Sequence, residues 1–98
     1  MYLKIHETKD GRIVAVCDDG LLGKIFQEGK AVLDLKTYIN FYNGEKGKNS
    51  TIKKALQSFS SANLVGREST AMAINLGLIS KEDVRYIQGI PYVQIYRI

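Results

Sequence analysis

Asp10-Gly11 stands between two runs of strand-forming residues, "MYLKIHE" and "RIVAVCD", and this pairing constrains the chain more than any other local feature. Both central residues of a type I′ turn need positive φ, and Asp-Gly supplies them at low cost. With Asp10 and Gly11 at the turn, Lys9 faces Arg12, Ile5 faces Val16 and Lys4 faces Cys17. Leu3, Ile5, Val14 and Val16 then share one face and form a core stripe. A register moved by two residues keeps the same faces, because side chains alternate with period two.

Downstream, "DDGLLGKIFQEG" is too short and glycine-rich for a full helix, and Leu21, Leu22, Ile25 and Phe26 offer one apolar side of a turn or two. "KAVLDLKTYI" reads as a third strand and "NFYNGEKGKN" as a loop. Ser50 or Thr51 caps a helix whose stripe is Ile52, Ala55, Leu56, Phe59 and Ala62. "NLVG" interrupts it, and a second helix runs from about Arg67 to Leu76, stopped by Gly77. "VRYIQGI" and "YVQIYRI" are two closing strands. The expected fold is α+β: a single two-layer domain over residues 1–98, with an antiparallel or mixed sheet of about five strands and two helices on one face.

No apolar run approaches the roughly 18–20 residues needed to cross a bilayer. The N-terminus is charged too early for a secretory signal. A single cysteine excludes an internal disulfide, and no Cys/His set exists for structural zinc. A soluble, cytoplasmic domain without metal or cofactor is the expectation. Charge is uneven: residues 1–45 hold six Lys/Arg and seven Asp/Glu, whereas residues 46–98 hold eight and three. An anionic partner for the second half accounts for that asymmetry, and so does a solvated helix start.

Cys17 and His6 share a strand face and would lie diagonally on the hairpin, the minimal pair for a thiol nucleophile. A lone strand cysteine more often packs as a small hydrophobe. Asp18-Asp19-Gly20 lacks the spacing of a calcium loop, and Asp18 reads as the cap of a following helical turn. "GEKGK" lacks the spacing of a phosphate loop. Asn63, Gly66 and Arg67 form a possible anion site at the second helix start, or simply a corner. Lys46, Lys48, Lys53, Lys54 and Arg67, beside Tyr38, Phe41 and Tyr42, form the strongest candidate for nucleic acid: lysines neutralise phosphates and exposed aromatics stack on bases. Residues 92–98, if they lie at a sheet edge, offer a strand to a second copy or another protein.

In their order, "VAVCDDGLLGKIFQEG", "ANLVGRESTAMAI" and "GIPYVQI" resemble the small archaeal family called domain of unknown function 424, with residues 37–50 the least matched. The resemblance implies a compact α+β domain of an archaeal cytoplasm, without an established activity, in the company of translation components. Relatives in that family often carry His after Gly-x-Pro, where this chain has Tyr92, so no general acid or base is expected there. The expected function is a non-enzymatic accessory protein bound to RNA or a ribosomal particle through Lys46, Lys48, Lys53, Lys54 and Arg67. The alternatives are an interaction module or homodimer using residues 92–98, and, more remotely, a Cys17/His6 thiol enzyme.

Overall fold

A computed structural model describes residues 1–97. Strands β1 (Tyr2–Thr8) and β2 (Gly11–Cys17) form the antiparallel hairpin. Leu3 pairs with Val16, Ile5 with Val14 and Thr8 with Gly11, so the corner is Lys9-Asp10. The register is thus two residues from the one a turn at Asp10-Gly11 requires, and the faces are kept. Two local facts explain the shift. The Thr8 hydroxyl accepts the Asp10 N–H at 3.2 Å and donates to the Gly11 carbonyl at 2.8 Å, closing the corner itself. Gly11, at φ +124°, is needed for a close approach: a Cβ there would lie 1.8 Å from Ser60 Oγ. The neighbouring Arg12 carbonyl accepts the Ser60 N–H at 2.8 Å.

The chain continues through β3 (Ile25–Glu28), β4 (Ala31–Asp34), α1 (Ile39–Tyr42), β5 (Glu45–Lys46), α2 (Asn49–Ala55), β6 (Ser61–Val65), α3 (Arg67–Asn75), β7 (Arg85–Ile87) and β8 (Ile90–Tyr96). Six strands form one sheet in the order β5-β1-β2-β6-β8-β7, and β3 and β4 pair separately. β2 and β6 run parallel, and the other pairs are antiparallel.

The α+β class and the mixed sheet agree with the sequence, but six strands plus two replace the five expected. The three additional strands are β3, where Ile25 and Phe26 were expected on a helical turn, β5, expected as loop together with α1, and β6. Ile52, Ala55 and Leu56 are buried on α2 as the helical period requires, but the helix stops there. Ala62 belongs to β6, where Ala62 and Leu64 face the helices. An apolar residue at position 62 satisfied both periods, so the short strand was absorbed into the helical stripe.

A third layer is the second correction. Helices α2 and α3 cover one face, where Val14, Val16, Leu64, Val93 and Ile95 pack with Ile52, Leu56, Met72 and Ala73. The β3–β4 hairpin and α1 cover part of the other, where Ala15, Cys17 and Val65 meet Leu35 and Tyr42. β2 is therefore sealed on both faces, and Val14 to Cys17 are each fully buried, as is usual for strands in parallel register. Fully burying each such Val or Leu stabilises by roughly 1.5–3 kcal/mol.

Two closing strands form as expected. Their turn, Gln88-Gly89, holds both residues at positive φ (50° and 76°), the geometry expected of Asp10-Gly11. Gln88 ties this turn to β3, its N–H donating to Glu28 Oε1 at 3.0 Å and its amide to the Gln27 carbonyl at 2.7 Å. β8 is not the outermost strand: β6 flanks Tyr92–Tyr96 and β7 covers Ile90–Tyr92. Only the outer flank of Val93–Tyr96 lacks a strand partner among the described residues. Ile98, the end of the expected docking segment, lies outside them. No described helix is long and apolar enough to cross a membrane.

Candidate functional site

Asp18 leaves the end of β2 and caps α3, which begins some fifty residues later. Its Oδ2 accepts the Glu68 N–H at 2.8 Å, and its Oδ1 accepts the Ser69 N–H at 2.8 Å and the Ser69 hydroxyl at 2.6 Å. The carboxylate presses against Gly66, at φ +108°, where a Cβ would lie 2.2 Å from Asp18 Cγ. The anion site expected at Asn63, Gly66 and Arg67 is therefore filled by the protein's own carboxylate. Asn63 does not take part: on β6 it alternates with Ala62 and Leu64, so it faces away from α3.

The Cys17–His6 pair does not form. Cys17 faces Tyr2 across the hairpin, and His6 lies four residues further along β1, about 13 Å at strand rise. His6 Nε2 sits 3.0 Å from the Phe41 carbonyl, to which it donates. Cys17 is fully buried, and desolvation, with Asp18 adding repulsion, pushes its thiol up to about 12. Such a thiol carries almost no thiolate at neutral pH. Among the described residues, no three His, Cys, Asp or Glu side chains gather as a metal site.

The basic candidates separate into three groups. Lys46, on the edge strand β5, lies 3.4 Å from Asp19, which also meets the Met1 amino group at 3.0 Å. These partners, the amino group foremost, hold the Asp19 carboxyl below its usual range. Lys48 caps α2, and Lys53 and Lys54 stand exposed in its last turn. Arg67 opens α3 on its far flank, beside Thr70, Ile74 and Lys81, and does not join the lysines. Arg97 does. It lies 4.2 Å over the Phe59 ring and shares a shallow hollow with Lys53, Gln57 and Leu78. The alternation Val93, Ile95, Arg97 places it on the helix side, a signal present in "YVQIYRI".

The opposite face carries a larger feature. Beyond the cover of β3–β4, the sheet and the β4–α1 segment enclose a cleft of about 700 Å³. Ser61, Asn63, Gln94 and Tyr96 form its sheet side, and Leu33, Tyr38, Phe41 and Tyr42 its other wall. Burial, with the neighbouring Cys17, pushes the Tyr42 hydroxyl up to about 12. The aromatics near the lysines in sequence thus line this cleft, away from α2.

Residues 6–98 match the model of a family described as Protein of unknown function (DUF424). The chain is also similar to an uncharacterized conserved protein from Methanopyrus kandleri known from a crystal structure. The two superpose with a TM-score of 0.79 over 97% of this chain and 89% of that one, at 26% identity. No curated protein matches.

Proposed function

We propose that this chain, which belongs to the DUF424 family of proteins of unknown function, is a non-enzymatic cytoplasmic accessory protein that holds RNA, free or in a ribosomal particle, along the basic side of α2. One observation carries the reading: Lys48, Lys53, Lys54 and Arg97 have no carboxylate within 4.0 Å among the described residues. The net charge of +4 works in the same direction. Cations without internal partners are free to displace counterions from a phosphate chain. Lys46 is a weaker member because Asp19 already engages it. Arg67 belongs to a separate contact.

Four neutralised phosphates on a single strand give a slope of log affinity against log salt of about −3. Affinity for a single-stranded RNA then falls roughly 50-fold between 50 and 200 mM salt. Lys53→Glu with Lys54→Glu flattens that slope and leaves the thermal unfolding curve in place, because both side chains are exposed. Binding that responds to neither salt nor these substitutions refutes the proposal.

A second reading rests on β8. The Arg97 N–H donates to Ser60 and the Gly66 N–H to Pro91, so Arg97, Ile95, Val93 and Pro91 turn their backbone groups toward β6. By alternation, Gln94 and Tyr96 turn theirs outward beyond the end of β7. That short open flank suits strand addition by a second copy.

A further inference from the structure

Asn63 and Gln94 are cross-strand partners in a pair without direct ladder bonds, the kind that brings side chains closest, with Cα atoms about 4.5 Å apart. Their amides therefore stand side by side on the sheet side of the cleft. The Asn63 amide has no hydrogen-bond partner among the described residues, and Gln94 receives only a long 3.5 Å contact from the Tyr96 hydroxyl. A half-buried amide and an exposed one thus keep donors and acceptors unspent beside apolar walls. A flat ligand edge carrying a donor next to an acceptor matches them.

The walls suit such a ligand. Phe41 is held between His6, stacked at 4.6 Å, and Tyr42, edge-on at 5.1 Å, so its ring is pre-set. Tyr38 and Tyr96 come from opposite walls and are 63% and 72% exposed, an open pair of stacking surfaces. Charge then narrows the class. No Lys or Arg lines the cleft, and its one carboxylate, Asp34, spends Oδ1 on the N–H groups of Thr37 and Lys36 at 2.8 and 3.1 Å. A phosphate has no seat there. The volume falls in the roughly 300–1,000 Å³ range of small-molecule sites.

We infer that this cleft binds an uncharged aromatic heterocycle of the nucleobase class, adenine above the others. Asn and Gln amides pair in bidentate fashion with adenine, whereas guanine calls for Arg or Lys, which the cleft lacks. The phosphate-binding lysines lie on the helix side of the sheet, so this site stands independently of them.

The test is a titration with adenosine, guanosine, cytidine and uridine to about 10 mM, followed by NMR of side-chain amides and tyrosine rings. Adenosine is expected to shift the Asn63, Gln94, Tyr38 and Tyr96 signals saturably and to bind more tightly than the other three. Gln94→Ala and Tyr96→Ala, both at exposed side chains, each weaken binding by about tenfold, as loss of a stacking or amide contact does. Lys53→Glu leaves it unchanged. The absence of a saturable shift with any nucleoside overturns the inference, as does a shift undiminished by both cleft substitutions. Comparison with a short oligoadenylate at high salt separates the sources: equal affinity marks a free nucleoside, and tighter oligonucleotide binding marks an unpaired base within a strand.

Discussion

Asp18→Ala removes three hydrogen bonds at once and leaves their donors behind. The Glu68 N–H belongs to an exposed residue and can turn to water, which limits its share of the loss. Ser69 is fully buried, so its N–H and hydroxyl are stranded, at about 1–3 kcal/mol for each unsatisfied group. Losing the carboxylate from the positive end of α3 adds about 0.3–1 kcal/mol. The expected destabilisation is about 3–4 kcal/mol, a large fraction of the 5–15 kcal/mol typical of a domain. In urea, with a slope near 1.5 kcal/mol/M, the midpoint drops by about 2 M. Asp18→Asn keeps one acceptor and lands about halfway. Ser69→Ala costs about 1 kcal/mol alone, and in the Asp18→Ala background nearly nothing, since the two residues share one network. Amide exchange gives the local readout, with Glu68, Ser69 and Thr70 losing protection before the sheet does. A midpoint shift below about 0.5 M, or Asp18→Asn indistinguishable from wild type, would refute the view that a buried charge organises this junction.

Cys17 and Tyr42 are neutral when protonated, and burial raises both, from 9.0 and 10.0 to about 12 each. The unfolded chain therefore releases these protons first: stability is full below about pH 9 and falls between pH 9 and 12, by up to about 1.4 kcal/mol per pH unit per group. Denaturant melts at pH 8 and 10.5 measure the fall, and rapid labelling of Cys17 by a thiol reagent in the native protein at pH 8.5 contradicts its cause. For the open flank of β8, sedimentation is expected to show a concentration-dependent dimer that Gln94→Pro abolishes without unfolding, since the N–H it removes points away from β6. A wild-type protein that is monomeric at every concentration removes that reading.

The sequence carried its local geometry well. Leu3, Ile5, Val14 and Val16 share a face whatever the register, although Ile5 is 42% exposed and stands outside the core expected of that stripe, and Gly77 ends α3 as a left-handed stop at φ +74°. What stayed hidden was set by partners distant in the chain. Glycine at position 11 is required by its φ of +124° together with the approach of Ser60, not by a place inside the turn. The cap role of Asp18 was legible from its place after a strand, but its helix lay far beyond the next turn. Cys17 packs as the small hydrophobe its place in a strand suggested, but nothing local announces that β3, β4 and α1 are what fold back over its face. For the same reason Asn63 was assigned to the helix start, though strand alternation turns it into the cleft. The nearness of Lys46 to Lys54 in sequence also misled, because Asp19 claims Lys46 and α3 separates Arg67.

The position of β6 between β2 and β8 has a consequence for how the protein is made. While the chain is being synthesised, β2 is waiting when β6 appears, but β8 follows only after α3 and β7. From Val65 to Tyr96 a ribosome working at 5–20 residues per second needs about 2–6 s. Throughout that interval Ser61–Val65 has one open hydrogen-bonding edge, and Leu64 and Met72 lack Val93 and Ile95 against which to pack. The domain therefore completes its core only as its last strand arrives. A released chain that ends before Ile90 presents an apolar strand edge that other copies can pair with.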